Sequence, residues 1–202
     1  MANILLPSSE YYSQRNNKYD PLNACMPTSY VMYLIANKIP YTNKSIELFD
    51  EKLSDDDFIY RVLNTDEAKE FCYKKYPWAK NIPPNEVHGM YSSYLEPIIC
   101  GKRYSDFYTN LNYDKVVTLI DNDIAVMTSG KFETINGHAF SIIGYDRELL
   151  IADPYGNFHS NYKDVRGYCI TMNRSEYETI VKGSDIDNKW GHAPLSIIDI
   201  LD

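Results

Sequence analysis

The fold near the amino terminus is decided by the stretch NACMPTSYVMYLIAN, residues 23–37. Apolar side chains recur at the three- and four-residue spacing of one helical face, at Val31, Leu34 and Ile35. Pro27 is compatible with the first turn, because its missing N–H would have no helical partner there. The stretch therefore predicts a helix over residues 25–37, with Cys25 at its amino terminus.

Strands dominate the last third of the chain. Apolar runs predict them over residues 124–128, 139–145, 149–152 and 168–172. A tight polar turn at Asp146 and Arg147 joins the second to the third. Short helices are predicted over 115–120 and 175–181, the latter because Ser175 and Glu178 have the spacing of a capping box. Helices followed by antiparallel strands predict an α+β fold.

The middle of the chain, residues 41–113, has a different character. Its first part is charged and is typical of helices, with acidic residues at 55–57 placed to stabilise a first turn. Its later part contains four prolines and predicts irregular loop: Pro77, Pro83, Pro84 and Pro97. We interpret residues 41–113 as an insertion that shapes a substrate groove within one domain spanning 1–202.

Composition and charge exclude several classes of protein. The 202 residues carry 20 Lys and Arg against 28 Asp and Glu, a net charge of -8. This charge disfavours a nucleic-acid-binding surface and electrostatic attachment to an anionic membrane. Because the sequence contains no apolar run of about 18–20 residues, no membrane span is expected. The opening residues lack a signal-peptide pattern, so cytoplasmic synthesis is expected. A monomer is expected as well.

Cys25 is the cysteine whose position is suited to chemistry. The chain has four cysteines and no C-x-x-C pair, which excludes a zinc ribbon. A thiol at a helix amino terminus meets unpaired N–H groups and the positive end of the helix dipole, which stabilise a thiolate. A structural cysteine that merely caps the helix is the alternative interpretation.

His138 and Asp153 form the second candidate pair. If Asp146 and Arg147 make a two-residue turn, Phe140 faces Asp153, and His138 lies on the same sheet face diagonally across from Asp153. An aspartate holding Nδ1 would leave Nε2 of the imidazole as a base toward a thiol. A register slip of one residue would separate the two side chains, which would then be a structural histidine and a turn aspartate.

Several short motifs, in the order Gln, Cys, His, Asp, carry a family resemblance. They are Tyr12-x-Gln14, Cys25-x-x-Thr28-Ser29, Gly137-His138 and Asp153-Pro154-x-Gly156. Together they resemble the C39-like branch of the papain-like cysteine peptidases, over the first 30 residues or so and over 136–157.

The resemblance implies a papain-like fold and a set of roles. Cys25 would be the nucleophile, His138 the general base and Asp153 the residue that orients it. Gln14 would donate to an oxyanion, although a glutamine there is also explained as a polar loop residue. Substrate contacts are expected from Met26, Asn136, Gly137 and Trp190.

The implied activity is thiol-dependent amide hydrolysis without a required cofactor or a metal centre. The favoured substrate is a peptidoglycan stem peptide, cleaved by a phage endolysin-type enzyme that reaches the cell wall after holin-type release. Processing of proteins or leader peptides is the alternative, and a non-catalytic binding module on the same fold is an alternative of another class. A structural calcium ion could bind near Asp185, Asp187 and Asn188, although the EF-hand spacing is absent.

Iodoacetamide labelling at about pH 6 tests the thiolate prediction, because the thiolate is the reactive form. Cys25 should be the one cysteine that is alkylated quickly, as measured by peptide mass spectrometry. Equal labelling of all four cysteines would contradict a nucleophile of low pKa.

Overall fold

The computed structural model describes residues 3–133, 135, 137–181 and 189–197. The helices of this part are α1 (Cys25–Ala36), α2 (Ser45–Phe49), α3 (Asp55–Leu63), α4 (Asp66–Lys75), α5 (His88–Met90), α6 (Glu96–Ile99), α7 (Tyr113–Asp121) and α8 (Arg174–Ile180). The strands are β1 (Asn3–Ile4), β2 (Ser105–Tyr108), β3 (Val126–Gly130), β4 (His138–Asp146), β5 (Glu148–Ala152), β6 (Ile170–Met172) and β7 (Gly191–Pro194). Helices pack on antiparallel strands, so the predicted α+β fold is confirmed.

The strands of the described residues form one antiparallel sheet in the order β2-β7-β3-β4-β5-β6. β1 extends it by pairing with β4 at Gly144 and Tyr145, past the residues of β4 that pair with β3. β4 is the longest strand and lies between β3 and β5. His138, at the start of β4, is therefore held by an interior strand.

Helix α1 lies against one face of this sheet and is buried on almost every side. All of its residues are buried except Cys25 and Ile35, which are half-buried. The predicted helix is present, but the apolar stripe is only part of its buried surface. The reason is that helices of the 41–113 segment cover the side that faces away from the sheet, in one core with Met127 and Ala139 of the strands.

Two serine hydroxyls fasten α1 to β4. Ser29 Oγ donates to the carbonyl of Ala139 at 3.1 Å, and Ser141 Oγ donates to the carbonyl of Ser29 at 2.8 Å. Ser29 lies one turn after Cys25, and Ala139 follows His138 directly. This pair of hydrogen bonds consequently sets the helix that carries Cys25 in register with the strand that carries His138.

The opposite face of the sheet is covered by α7 and α8. Val126, Phe140 and Ile142 alternate along the strands with the residues that face α1, and they pack in a separate core with apolar residues of both helices. The capping box of α8 is formed by Asn173 and Glu176, two residues before the predicted Ser175 and Glu178. Both pairs have the required spacing, and Asn173 is the one that follows the end of β6.

The 41–113 segment is helical in both parts, so the prediction of irregular loop for its later part was wrong. A helix runs from α5 through a π-helical stretch (Tyr91–Leu95) into α6, and short 3-10 turns precede it. Pro77 and Pro84 lie in the first turns of the 3-10 elements, where a missing N–H has no cost, whereas Pro97 follows the π-helical stretch inside the longer helix. Prolines that begin helices were thus mistaken for prolines that exclude them.

A buried carboxylate joins this segment to α1. Glu96 is fully buried and accepts hydrogen bonds from the Tyr30 hydroxyl and the Ser105 hydroxyl, both at 2.6 Å. The backbone N–H groups of Tyr104 and Ser105 donate to its second oxygen. Four donors replace the water that this carboxylate loses on burial.

None of the described helices is long and apolar enough to cross a bilayer.

Ser141→Ala should lower the free energy of unfolding by about 1 kcal/mol, the typical net contribution of one neutral hydrogen bond. Urea denaturation measures the loss, with Ser196→Ala at an exposed position as the control. Equal stabilities of the two variants would contradict a fastening role for the Ser141 hydroxyl.

Candidate active site

Cys25 is the first residue of α1 and is half-buried. Ala24 precedes it at the cap position and offers no side-chain hydrogen bond to the first turn. Pro27 has no N–H, and the Thr28 N–H donates to the Ala24 carbonyl. The N–H groups of Cys25 and Met26 have no acceptor among the described residues, so they are available to an anion beside the thiol.

The predicted contact between His138 and Asp153 is present. Nε2 of the imidazole lies 2.6 Å from Oδ1 of Asp153, and both side chains are buried. Cys25 and His138 line the same cavity, and the side chain of Cys25 is one of the groups that raise the pKa of the imidazole. The predicted orientation of the ring was wrong, because Nε2 rather than Nδ1 faces the carboxylate. Nδ1 is therefore the ring nitrogen that Asp153 leaves to other partners.

The hairpin reaches the predicted register by a different path. Asp146 pairs with Glu148, which leaves Arg147 alone at the tip with a φ of +67°. The register then shifts by one residue at a bulge between Ile142 and Gly144. A two-residue turn was predicted wrongly, but the bulge compensates for the difference. Beyond it Ser141 pairs with Ala152, so the next positions along bring Phe140 and Asp153 opposite each other.

The environment favours the charged form of His138. Burial lowers the pKa of the imidazole, but the negative charge and hydrogen bond of Asp153, together with the side chain of Cys25, raise it from 6.5 to about 10. An imidazolium next to the thiol is therefore the favoured state at neutral pH. Such a cation stabilises a neighbouring thiolate.

Residues that sequence reasoning missed hold the Asp153 side of the pair. The Tyr155 N–H donates to Oδ1 of Asp153 at 2.9 Å, and the Tyr162 hydroxyl donates to Oδ2 at 3.4 Å. Rings of Phe132, Tyr155 and Tyr162 meet the imidazole edge to face. They exclude water from the His138–Asp153 contact. Only a patterned spacing of aromatic residues could have signalled this, and the spacing here is irregular.

Two glycines shape the backbone at this pair. Gly137 has a φ of +75°, a conformation that side chains disfavour, and it turns the chain into His138. A Cβ at Gly167 would lie 1.8 Å from the carbonyl oxygen of Asp153, so the chain can pass there only without a side chain. The Asp153 N–H donates to the Gly167 carbonyl across this close approach.

Gln14 is buried but does not line the cavity beside Cys25. Its Nε2 donates to the carbonyls of Pro21 and Leu22, in the loop that leads into α1. Its backbone N–H donates to Pro154, which follows Asp153. Gln14 thus links the two loops that carry Cys25 and Asp153. Its predicted donation to an oxyanion stays a prediction.

A cavity of about 710 Å³ opens beside Cys25 and His138. The residues that line it are Leu22, Asn23, Cys25, Met26, Lys75, Tyr76, Trp78, Ile82, Glu86, His88, Gly89, Ser92, Ser93, Arg103, Asp106, Phe107, Ser129, Ile135, Gly137, His138 and Trp190. Three of the predicted substrate contacts are among them: Met26, Gly137 and Trp190. The fourth, Asn136, lies outside the described residues. More than half of the lining comes from the 41–113 segment. That this segment shapes a groove for substrate stays a prediction.

No group of three or more His, Cys, Asp or Glu side chains able to hold a metal ion occurs within residues 3–133, 135, 137–181 and 189–197. The calcium loop predicted at Asp185, Asp187 and Asn188 lies outside these ranges.

A family model decides the wider relationship. The model described as "Peptidase_C39 like family" matches residues 8–184, which contain Cys25, His138 and Asp153. The chain belongs to the Peptidase_C39 like family. No curated protein and no solved structure matches it. Membership in this family identifies the chain as a C39-like, papain-like peptidase. Such proteins are hydrolases of the cysteine peptidase type.

Asp153→Asn should lower the pKa of His138, because it removes the negative charge beside the imidazole. NMR titration of His138 should give a midpoint near pH 10 in the wild type and well below that in the variant. Asp121→Asn, at an exposed position, is the matched control. An unchanged His138 midpoint in Asp153→Asn would contradict the ion pair.

The same pair predicts how stability depends on pH. The pKa of His138 is higher in the folded than in the unfolded chain, so protonation stabilises the fold. This contribution is complete below about pH 6.5 and is lost as the pH rises towards about 10. The difference in unfolding free energy between wild type and Asp153→Asn should therefore be larger at about pH 6 than at about pH 10.

Proposed function

We propose that this protein is a cysteine-dependent amide hydrolase that acts on peptidoglycan stem peptides. The observation that carries the proposal is that Cys25, at the start of α1, lines one large cavity together with His138, whose imidazole is held by Asp153 at 2.6 Å. A nucleophile, a base and a residue that orients the base are the parts that covalent hydrolysis requires. A binding module would need none of them.

In the first step, the Cys25 thiolate attacks the carbonyl carbon of the scissile amide. A C–S bond forms, and the carbonyl oxygen acquires the negative charge. The Cys25 N–H at the start of α1 is a donor for that oxygen, and the helix dipole has the favourable sign there. Gln14 would join in only after a rotation of its amide away from Pro21 and Leu22.

In the second step, the His138 imidazolium gives its proton to the amide nitrogen, the C–N bond breaks and the amine leaves. A thioester on Cys25 remains. Water then attacks this thioester while neutral His138 accepts one of its protons, and the acid product and the Cys25 thiolate separate. Asp153 holds the imidazole by Nε2 throughout, so Nδ1 is the nitrogen that exchanges the proton.

The composition of the cavity wall supports a peptidoglycan substrate. Tyr76, Trp78 and Trp190 line the cavity, and Trp78 is 69% exposed. Exposed aromatic faces stack on sugar rings and on apolar side chains. Charged groups of both signs stand beside them, among them Lys75 and Glu86. Stem peptides carry free carboxylates and amines next to sugar rings, which is the chemistry such a wall matches.

Digestion of purified peptidoglycan tests the proposal. Wild type should release soluble muropeptides, and Cys25→Ala should release none above background. Mass spectrometry of the fragments identifies the cleaved bond. Cys100→Ala is the matched control, because Cys100 is another half-buried thiol and does not line the cavity.

Each outcome has a distinct meaning. Release by wild type and by Cys100→Ala alone would support a Cys25-dependent wall hydrolase. Release that survives Cys25→Ala would contradict the nucleophile. No release by wild type would contradict the peptidoglycan substrate, and a peptide library would then test protein or leader-peptide processing.

A further inference from the structure

A second polar group lies in the wall of the same cavity. His88, Ser129 and Trp190 line the cavity, and His192 lies fully buried behind them. The Ser129 hydroxyl is 3.3 Å from Nε2 of His88 and 3.2 Å from Nε1 of Trp190. Nδ1 of His88 is 3.2 Å from Nε2 of His192. The four side chains thus form one hydrogen-bonded chain, which the proposed hydrolysis does not use.

The number of protons in this chain is fixed. Burial lowers the pKa of His88 to about 4. Burial, together with the neighbouring His88, holds the pKa of His192 well below its ordinary value. Both imidazoles are therefore neutral at neutral pH, and each has one N–H. The indole of Trp190 can only donate, so one lone pair of the Ser129 oxygen is always occupied.

Two arrangements of the remaining protons are possible, and the far end of the chain distinguishes them. If the Ser129 hydroxyl donated to His88, then His88 would donate through Nδ1 to His192. The proton of His192 would then sit on Nδ1, which is buried and has no partner among the described residues. Buried N–H groups without an acceptor are rare because they lose a full hydrogen bond to water.

The opposite arrangement leaves no N–H without an acceptor. His192 donates through Nε2 to Nδ1 of His88, and His88 donates through Nε2 to the Ser129 oxygen. The oxygen then accepts from both His88 and Trp190. Both lone pairs of the Ser129 oxygen are then occupied. The hydroxyl can therefore form one more hydrogen bond, as a donor. No described residue accepts from this hydroxyl, and the cavity is the open side of Ser129.

We propose that Ser129 is a substrate-binding residue whose hydroxyl donates to a carbonyl oxygen of the peptide substrate, with His88 and His192 as positioning residues. The proposal rests on the proposed amide hydrolysis for its substrate class. The cavity gives the location, because Ser129 lines it together with Cys25 and His138, and Ser129 pairs with Ala139, the residue after His138. The bound carbonyl would thus belong to a residue close to the scissile bond.

The surrounding rings hold the His88 imidazole in place. Phe107 lies with its ring centre 4.9 Å from that of His88, and Trp190 at 5.8 Å. His192 stacks on His88 from the buried side at 5.3 Å. This packing, together with the contact of Nδ1 with His192, favours the ring orientation in which Nε2 faces Ser129.

Tautomers measured by NMR test the arrangement without any substrate. In protein labelled with ¹⁵N-histidine, two-bond ¹H–¹⁵N correlations should show both His88 and His192 as neutral rings protonated at Nε2. Spectra of His88→Gln and His192→Gln assign the signals. Protonation of both rings at Nδ1 would overturn the proposal, because the Ser129 proton would then point at His88.

Kinetics test the binding role on any peptide that the wild type cleaves. Ser129→Ala should raise KM about fivefold with kcat within about twofold, since a hydrogen bond equal in ground and transition state is lost. Ser129→Thr keeps the hydroxyl and should restore KM. Ser196→Ala is the control, because Ser196 is exposed and does not line the cavity.

The kinetic and NMR experiments distinguish a failure of the Ser129 proposal from a failure of the proposed hydrolase function. Unchanged KM in Ser129→Ala, with an active wild type, would overturn the role of Ser129 and leave the hydrolase intact. An inactive wild type would overturn the proposed function. The NMR result would then still decide whether the Ser129 hydroxyl accepts from His88 or donates to it. Iodoacetamide alkylation of Cys25 should proceed at the wild-type rate in Ser129→Ala, because that reagent needs no peptide-binding contact.

Discussion

The fastening of α1 to β4 is the constraint on which the rest of the structure depends. Cys25 and His138 are far apart in the chain. Their side chains come together only if α1 and β4 pack at one fixed position relative to each other. The Ser29 and Ser141 hydrogen bonds set that offset within one turn and one residue of the two groups. Burial of α1 between the sheet and the 41–113 segment keeps it there.

Chemistry and shape come from different parts of the chain. The sheet and α1 supply the thiol, the imidazole and the carboxylate, while the 41–113 segment supplies most of the cavity wall. Glu96 joins the two parts through Tyr30 of α1 and Ser105 of β2. Because this carboxylate is fully buried, a shift of the wall relative to α1 would remove the Tyr30 hydroxyl, one of its four donors, in a place where water cannot replace it.

Short-range signals made most of the reaction centre predictable. Cys25 stands at a helix start that propensity and Pro27 define. His138 begins one strand of a hairpin, and Asp153 directly follows the other. The cavity wall could not be predicted, since it joins residues from four distant segments, as in the contact of His88 with Ser129 and His192. The orientation of the His138 ring also depends on tertiary contacts, which no local pattern contains.

The bulge between Ile142 and Gly144 has a consequence for how the family can vary. A one-residue tip with a bulge, and a two-residue tip without one, bring the same residues together at the open end of the hairpin. The outer half of this hairpin is therefore uncoupled from the site: its tip can drift in sequence, or exchange between the two forms during evolution, while His138 and Asp153 keep their pairing.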